Sequence, residues 1–149
     1  MGGQMLKRSV VLGLLLCVGA IVHAEGPGIA GTWELQAGKW AMGGQELSLP
    51  GNLSGSQLKT YSKGHFLFVG QLKSGPSDTQ GNFGGGTYSL NGEDYAETLV
   101  YHSAQALVGK TLHFKLVVKG NTMTLTGPVT PDDQKIIGGT LTEVYVRKD

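Results

Sequence analysis

Short alternating segments, each closed by a glycine-bearing turn, recur from residue 31 to the end of the chain and leave no room for a long helix. "GTWELQAGKW" sets Trp33, Leu35 and Ala37 against Thr32, Glu34 and Gln36. That is the period of two of a half-buried strand, whose successive side chains leave opposite faces. "QLKTYSK" and "HFLFVGQLK" meet at Lys63-Gly64, "GTYSL" and "DYAETLVYH" at Asn91-Gly92, and "KTLHFKLVVK" turns into "NTMTLTG" at Gly120-Asn121. Each pair carries the glycine that tight hairpins favour. With "TLTEVYVRK" as the last, eight strands follow one another as hairpins, which predicts an all-β, antiparallel, up-and-down meander. Closing it into an eight-stranded barrel removes both exposed edges and leaves an interior for packed side chains or one small ligand. The Gly/Ser/Pro-rich residues 41–56, "AMGGQELSLPGNLSGS", are expected to form a loop that serves as a portal lid.

Upstream of the strands, residues 1–24 have a basic start at Lys7 and Arg8, an apolar run over residues 10–22 and a small residue, Ala24. This layout predicts a cleaved secretory signal, with residues 25–149 as one barrel domain in the bacterial periplasm. The run falls short of the roughly 20 residues a spanning helix needs, so no integral membrane span is expected. Cys17, the chain's one cysteine, lies inside it and is preceded by Leu16 rather than a small residue, which argues against lipoprotein anchoring. The mature chain then has no disulfide. It also loses Lys7 and Arg8, so 10 basic side chains face 11 acidic ones. Neither this balance nor the scattered lysines, Lys59 among them, point to nucleic acid; they read as a solvated surface.

Motifs for catalysis or cofactors fail on context. "AQALVGKT" resembles a loose phosphate loop, but the β-rich "TLHFKLVV" follows where a helix is required. Gly84, Gly85 and Gly86 likewise precede a strand, so they read as a bulge, a bend or a close backbone approach. His65, His102 and His113 form no metal-ligand spacing, and His102 is expected opposite Glu97 on its strand. Glu93-Asp94 and Asp132-Asp133 are turn acids, and no Gly-x-Ser-x-Gly occurs. No catalytic residue, metal or cofactor is assigned, and the chain reads as a non-enzyme.

"GTW" on the first strand, soon after the expected cleavage site, and Arg147 on the last strand resemble the lipocalin-like, calycin-type barrels. "KTYSKGHFLFV", "GGGTYSLNGEDYAETLVYH", "LVGKTLHF" and "GGTLTEVYVR" look more narrowly like small bacterial lipocalin-like proteins of an uncharacterised family. The likeness covers nearly all of residues 30–149. It implies that Trp33 and Arg147 pack together at the closed end of the barrel, as structural residues. The chain lacks the Thr-Asp-x-x-Tyr loop motif of true lipocalins, so their ligand chemistry is not carried over.

On such a barrel, Tyr61, Phe66, Phe68, Tyr88, Tyr101 and Phe114 are candidates for the interior, either as core or as lining of a pocket. Glu97 shares a face with Tyr95, Leu99 and Tyr101, and the pattern leaves open whether that face points in or out. If inward, the eight residues Tyr61, Phe66, Phe68, Tyr88, Tyr95, Glu97, Tyr101 and Phe114 supply a mostly apolar site with one placed carboxylate. The expected function is binding of a small, largely apolar molecule. The alternative is an envelope protein–protein interaction module whose barrel is filled by its own side chains.

Overall fold

The computed structural model describes residues 28–78, 81–130 and 138–149. The expected signal with Cys17 and the Asp132-Asp133 pair lie outside them. Nine antiparallel strands follow in chain order: β1 Gly31–Met42, β2 Gln45–Leu49, β3 Ser54–Ser62, β4 His65–Lys73, β5 Asn82–Asn91, β6 Asp94–His102, β7 Thr111–Lys119, β8 Thr122–Pro128 and β9 Gly139–Arg147. Each of β3 to β9 pairs with its sequence neighbour, and β9 pairs back onto β1 from Trp33↔Arg147 to Met42↔Gly139. Eight strands, β1 and β3 to β9, thus close into an up-and-down barrel. No described helix is long and apolar enough to cross a membrane.

The ninth strand corrects the loop expected at residues 41–56. Gly43 and Gly44 both have positive φ, 58° and 77°, as a two-residue hairpin matching strand twist requires, and they fold β2 back onto Gly38–Met42. β3 pairs with β1 only through Leu58 to Tyr61, so β2 takes over the β1 edge where β3 departs. Asn52 pins the segment that follows: its carbonyl accepts from the Ser48 amide at 2.7 Å, and its amide donates to the Glu46 carbonyl at 2.8 Å. Residues 41–56 are therefore a hairpin and a tied turn rather than a free lid.

Turns at Lys63-Gly64 and Gly120-Asn121 fall where the sequence puts them. The β5–β6 turn sits one residue later than expected, at Gly92-Glu93, because Asn91 pairs with Asp94 and Gly92 is the residue with positive φ. "AQALVGKT" forms a 3-10 turn at Gln105–Leu107 that runs into β7, with no helix after it.

Two β-bulges decide what faces the interior. Opposite β9 the β1 register jumps from Leu35 to Ala37, leaving Gln36 as an extra residue, so the inward set changes from Trp33 and Leu35 to Gly38 and Trp40. Opposite β5 the β6 register jumps from Leu99 to Tyr101, leaving Val100 unpaired. A bulged strand shifts its alternation by one residue. Tyr95, Glu97 and Leu99 point inward, Val100 and Tyr101 outward, and His102 inward again.

The glycines at 84–86 make room on this interior. A Cβ on Gly84 would lie 2.3 Å from the Phe68 ring and 3.0 Å from His102, so the missing side chain is the space those two rings share. A Cβ on Gly86 would lie 1.9 Å from the Thr98 carbonyl, and only glycine allows the strands to approach so closely at the bulge. Gly38 does the same for Trp40, whose indole lies where a Cβ would stand.

The closed end is sealed at Trp33, which is fully buried and donates from Nε1 to the Ile29 carbonyl at 2.8 Å. The Arg147 guanidinium lies 4.2 Å from the Trp33 ring and donates to the carbonyls of Ala30 and Gly28. This stacks a weakly hydrated cation on an aromatic face while the fork fixes the chain that crosses the barrel end.

Candidate functional site

Above the sealed end, the interior divides into an aromatic core and a cavity. Tyr61, Phe66, Tyr95 and Phe114 are buried in the core, with Tyr61 and Tyr95 edge to face at 6.1 Å. None of the four lines the cavity. It occupies about 210 Å³ toward the opposite end, with Trp40, Leu72, Leu99, Leu107, Val129 and Leu141 as apolar wall. Its polar lining consists of Gln57, Lys59, Asn82, Glu97, His102, Ser103, Glu143 and Tyr145.

Alternation on three strands delivers the charged part. β3 turns Gln57, Lys59 and Tyr61 inward, β6 turns in Tyr95 and Glu97, and β9 turns in Glu143 and Tyr145. Lys59 is thus a buried residue, only 3% exposed, which corrects the solvated surface lysine read from the sequence. Its ammonium contacts Glu97 Oε2 at 2.9 Å, and the same oxygen accepts from the Tyr95 hydroxyl at 2.8 Å. The rings of Tyr61, Phe66, Phe68 and Tyr95 surround the ammonium with centroids 5.0 to 5.9 Å away. Burial alone would depress the lysine, but the neighbouring negative charge, that of Glu97 above all, outweighs it and holds the ammonium well above its ordinary range. The contact is a buried ion pair, each partner being the other's replacement for water.

Glu143 is held differently. Its Oε1 accepts from Trp40 Nε1 at 3.0 Å and its Oε2 from the Tyr145 hydroxyl at 2.7 Å. The Tyr145 oxygen in turn accepts from Gln57 Nε2 at 2.8 Å, and Gln57 Oε1 accepts from Asn82 Nδ2. Every donor in this chain points toward Glu143. Burial pushes the Tyr145 hydroxyl well above its ordinary value, and the Glu143 charge adds to the effect, so it stays a donor. His102 accepts the Ala104 amide on Nδ1 at 2.8 Å, which assigns a neutral ring with its proton on Nε2. Burial draws its pKa below the ordinary 6.5 despite the opposing Glu97 charge and Ala104 bond.

The residues singled out from the sequence separate accordingly. Phe68 and Glu97 line the cavity. Tyr88 lies at the other end, beside a larger pocket of about 750 Å³ lined by residues 28–30 and the β5–β6 turn. Tyr101 is 63% exposed, a correction whose cause is the Val100 bulge. The same bulge brings His102 to the cavity that holds Glu97, rather than to the opposite face. Sequence reasoning missed Gln57, Lys59 and Glu143, although each shares a period-two face with a buried tyrosine, Tyr61 or Tyr145. It also missed Trp40, whose inward position needs the Gln36 bulge. Among the described residues, no group of three or more His, Cys, Asp and Glu could hold a metal ion. Compared with protein-family models, curated proteins and solved structures, the chain gives no significant match.

Proposed function

We propose that the chain is an exported, lipocalin-like binding protein of the bacterial cell envelope, not an enzyme, and that it takes a small molecule with a largely apolar body into the open end of its barrel. The observation that carries this is the cavity itself: a wall of Trp, Phe, Met, Leu and Val side chains interrupted by fixed polar groups from β3, β5, β6 and β9, a combination suited to a ligand site. At about 210 Å³ it is smaller than the pockets of about 300–1,000 Å³ that take drug-sized ligands, so the ligand is compact. Entry exchanges poorly hydrated wall for apolar ligand surface. The two bulges and three glycines support the reading, since they keep Trp40, Phe68 and His102 at the cavity wall.

A second reading, docking of another envelope protein, draws on an outer row of exposed Leu67, Val69, Phe83 and Tyr101 across β4, β5 and β6. Contiguous exposed apolar residues are typical of such surfaces.

Native mass spectrometry of chain recovered from a bacterial periplasm separates the two. Loss of residues 1–24, a co-purifying small molecule and a raised melting temperature with a panel of compact apolar compounds are expected; a ligand at a hundredfold its Kd adds about 2.7 kcal/mol. Absence of both a bound molecule and any thermal shift would refute the ligand reading. A co-purifying polypeptide released by Leu67→Lys would establish the second.

A further inference from the structure

We propose that the ligand is an organic ammonium, a compact amine whose cationic head is held by Glu143; this rests on the cavity being the binding site. Three buried charged side chains are present among the described residues: Lys59, Glu97 and Glu143. The one ammonium is bound to Glu97 at 2.9 Å, so the set carries one negative charge in excess. Glu143, 8% exposed, accepts from two neutral donors, the Trp40 N–H and the Tyr145 O–H, and forms no ion pair among the described residues; the Lys59 ammonium, which its charge also favours, is in contact with Glu97 instead.

Both of its oxygens are engaged as acceptors. An indole N–H can only donate, so Oε1 is an acceptor. The Tyr145 oxygen already accepts from Gln57, and its single proton is directed at Oε2. Both Glu143 oxygens therefore accept from neutral groups, an arrangement that suits a carboxylate. Neutral donors stabilise a buried carboxylate only in part, and an opposite charge is the remaining means of compensating its lost hydration.

The far end of the same chain is also short of a donor. Asn82 Oδ1 is buried with no hydrogen-bond partner among the described residues, while its Nδ2 is committed to Gln57. Asn82 and Glu143 both line the cavity. The site thus offers acceptors, and a ligand must bring N–H or O–H groups to them. An anionic head would meet the excess negative charge and find Lys59 already engaged. Neutral His102 supplies no second cation. Trp40, Phe68 and the leucine wall receive the apolar body of the amine.

Calorimetric titration of the purified chain at pH 7 with 2-phenylethylamine, 2-phenylethanol and phenylacetate tests the assignment. The ammonium is expected to bind about tenfold or more tighter than the alcohol, with the carboxylate weakest, a tenfold step being about 1.4 kcal/mol. Glu143→Gln should bring amine and alcohol together without abolishing binding of the alcohol, and Glu143→Asp should retain the preference for the amine. Equal affinity of the wild-type chain for amine and alcohol would overturn the inference and leave the cavity reading standing. Binding of none of the three would overturn both. Should Glu143→Gln fail to fold, the wild-type comparison of the three head groups decides the matter alone.

Discussion

Lys59→Met is expected to cost about 3–5 kcal/mol of folding stability at pH 7, because it leaves two buried carboxylates with no buried ammonium beside them. The wild-type lysine is 3% exposed and Glu97 5%, and their contact is 2.9 Å. The double variant Lys59→Met, Glu97→Leu should recover most of the loss, since an apolar pair of similar volume carries no desolvation cost. Urea unfolding of the four proteins in the cycle measures both numbers. A loss below about 1 kcal/mol for Lys59→Met, the size seen for exposed pairs, would mean that the ammonium is hydrated and the interior is not as described.

The second large effect is steep loss of stability in alkali. Burial raises the pKa of Tyr61 to about 12, and also raises Tyr95 and Tyr145, with nearby carboxylate charge adding to these last two. Lys59 is raised too, its burial outweighed by the surrounding negative charge. All four groups therefore keep their protons in the folded chain at pH values where the unfolded chain, with tyrosines near 10 and lysines near 10.4, gives them up. The unfolded state then binds fewer protons, and stability falls as pH rises. Each group contributes a slope of up to about 1.4 kcal/mol per pH unit, beginning near pH 10 and absent at neutral pH. Urea midpoints at pH 8, 9, 10 and 11 should be level at first and then fall sharply. Tyr61→Phe offers an internal control. The Tyr61 hydroxyl is buried beside Lys59 and Tyr95 with no well-formed hydrogen bond among the described residues, so its removal should change stability at pH 7 little and make the alkaline fall shallower by one group. An unchanged midpoint between pH 9 and 11 would contradict the burial of these hydroxyls.

Most of the barrel was legible because its determinants are local. Alternation and turn glycines are visible in a few residues at a time, and eight of the nine strands carry them plainly. β2 was hidden because Gly43-Gly44 and Pro50 lie so close together that their five-residue strand resembles the loop around it. The interior was legible only up to each bulge. An extra residue such as Gln36 or Val100 is defined by its mismatch with a partner strand, so nothing within β1 or β6 alone announces it. Trp40 and His102 were consequently assigned to the wrong side or overlooked, and Tyr101 was placed inside. Lys59 and Glu143 were obscured for another reason. Burial of a charge depends on what stands across the barrel, and Lys59 meets Glu97 from 38 positions away. Phe68 and Glu97, by contrast, lie on stretches that no register shift precedes, and both were named as candidates, with the face of Glu97 left open.

The cavity as binding site is tested most directly by nitrogen–proton NMR of the two tryptophan indoles. Trp40 Nε1 donates to Glu143 at the cavity, whereas Trp33 Nε1 donates to the Ile29 carbonyl at the sealed end. With Trp40→Phe assigning the two signals, titration with 2-phenylethylamine or 2-phenylethanol is expected to move the Trp40 resonance and leave that of Trp33 in place. Movement of the Trp33 signal alone, or of neither at saturating probe, would contradict the assignment of the site.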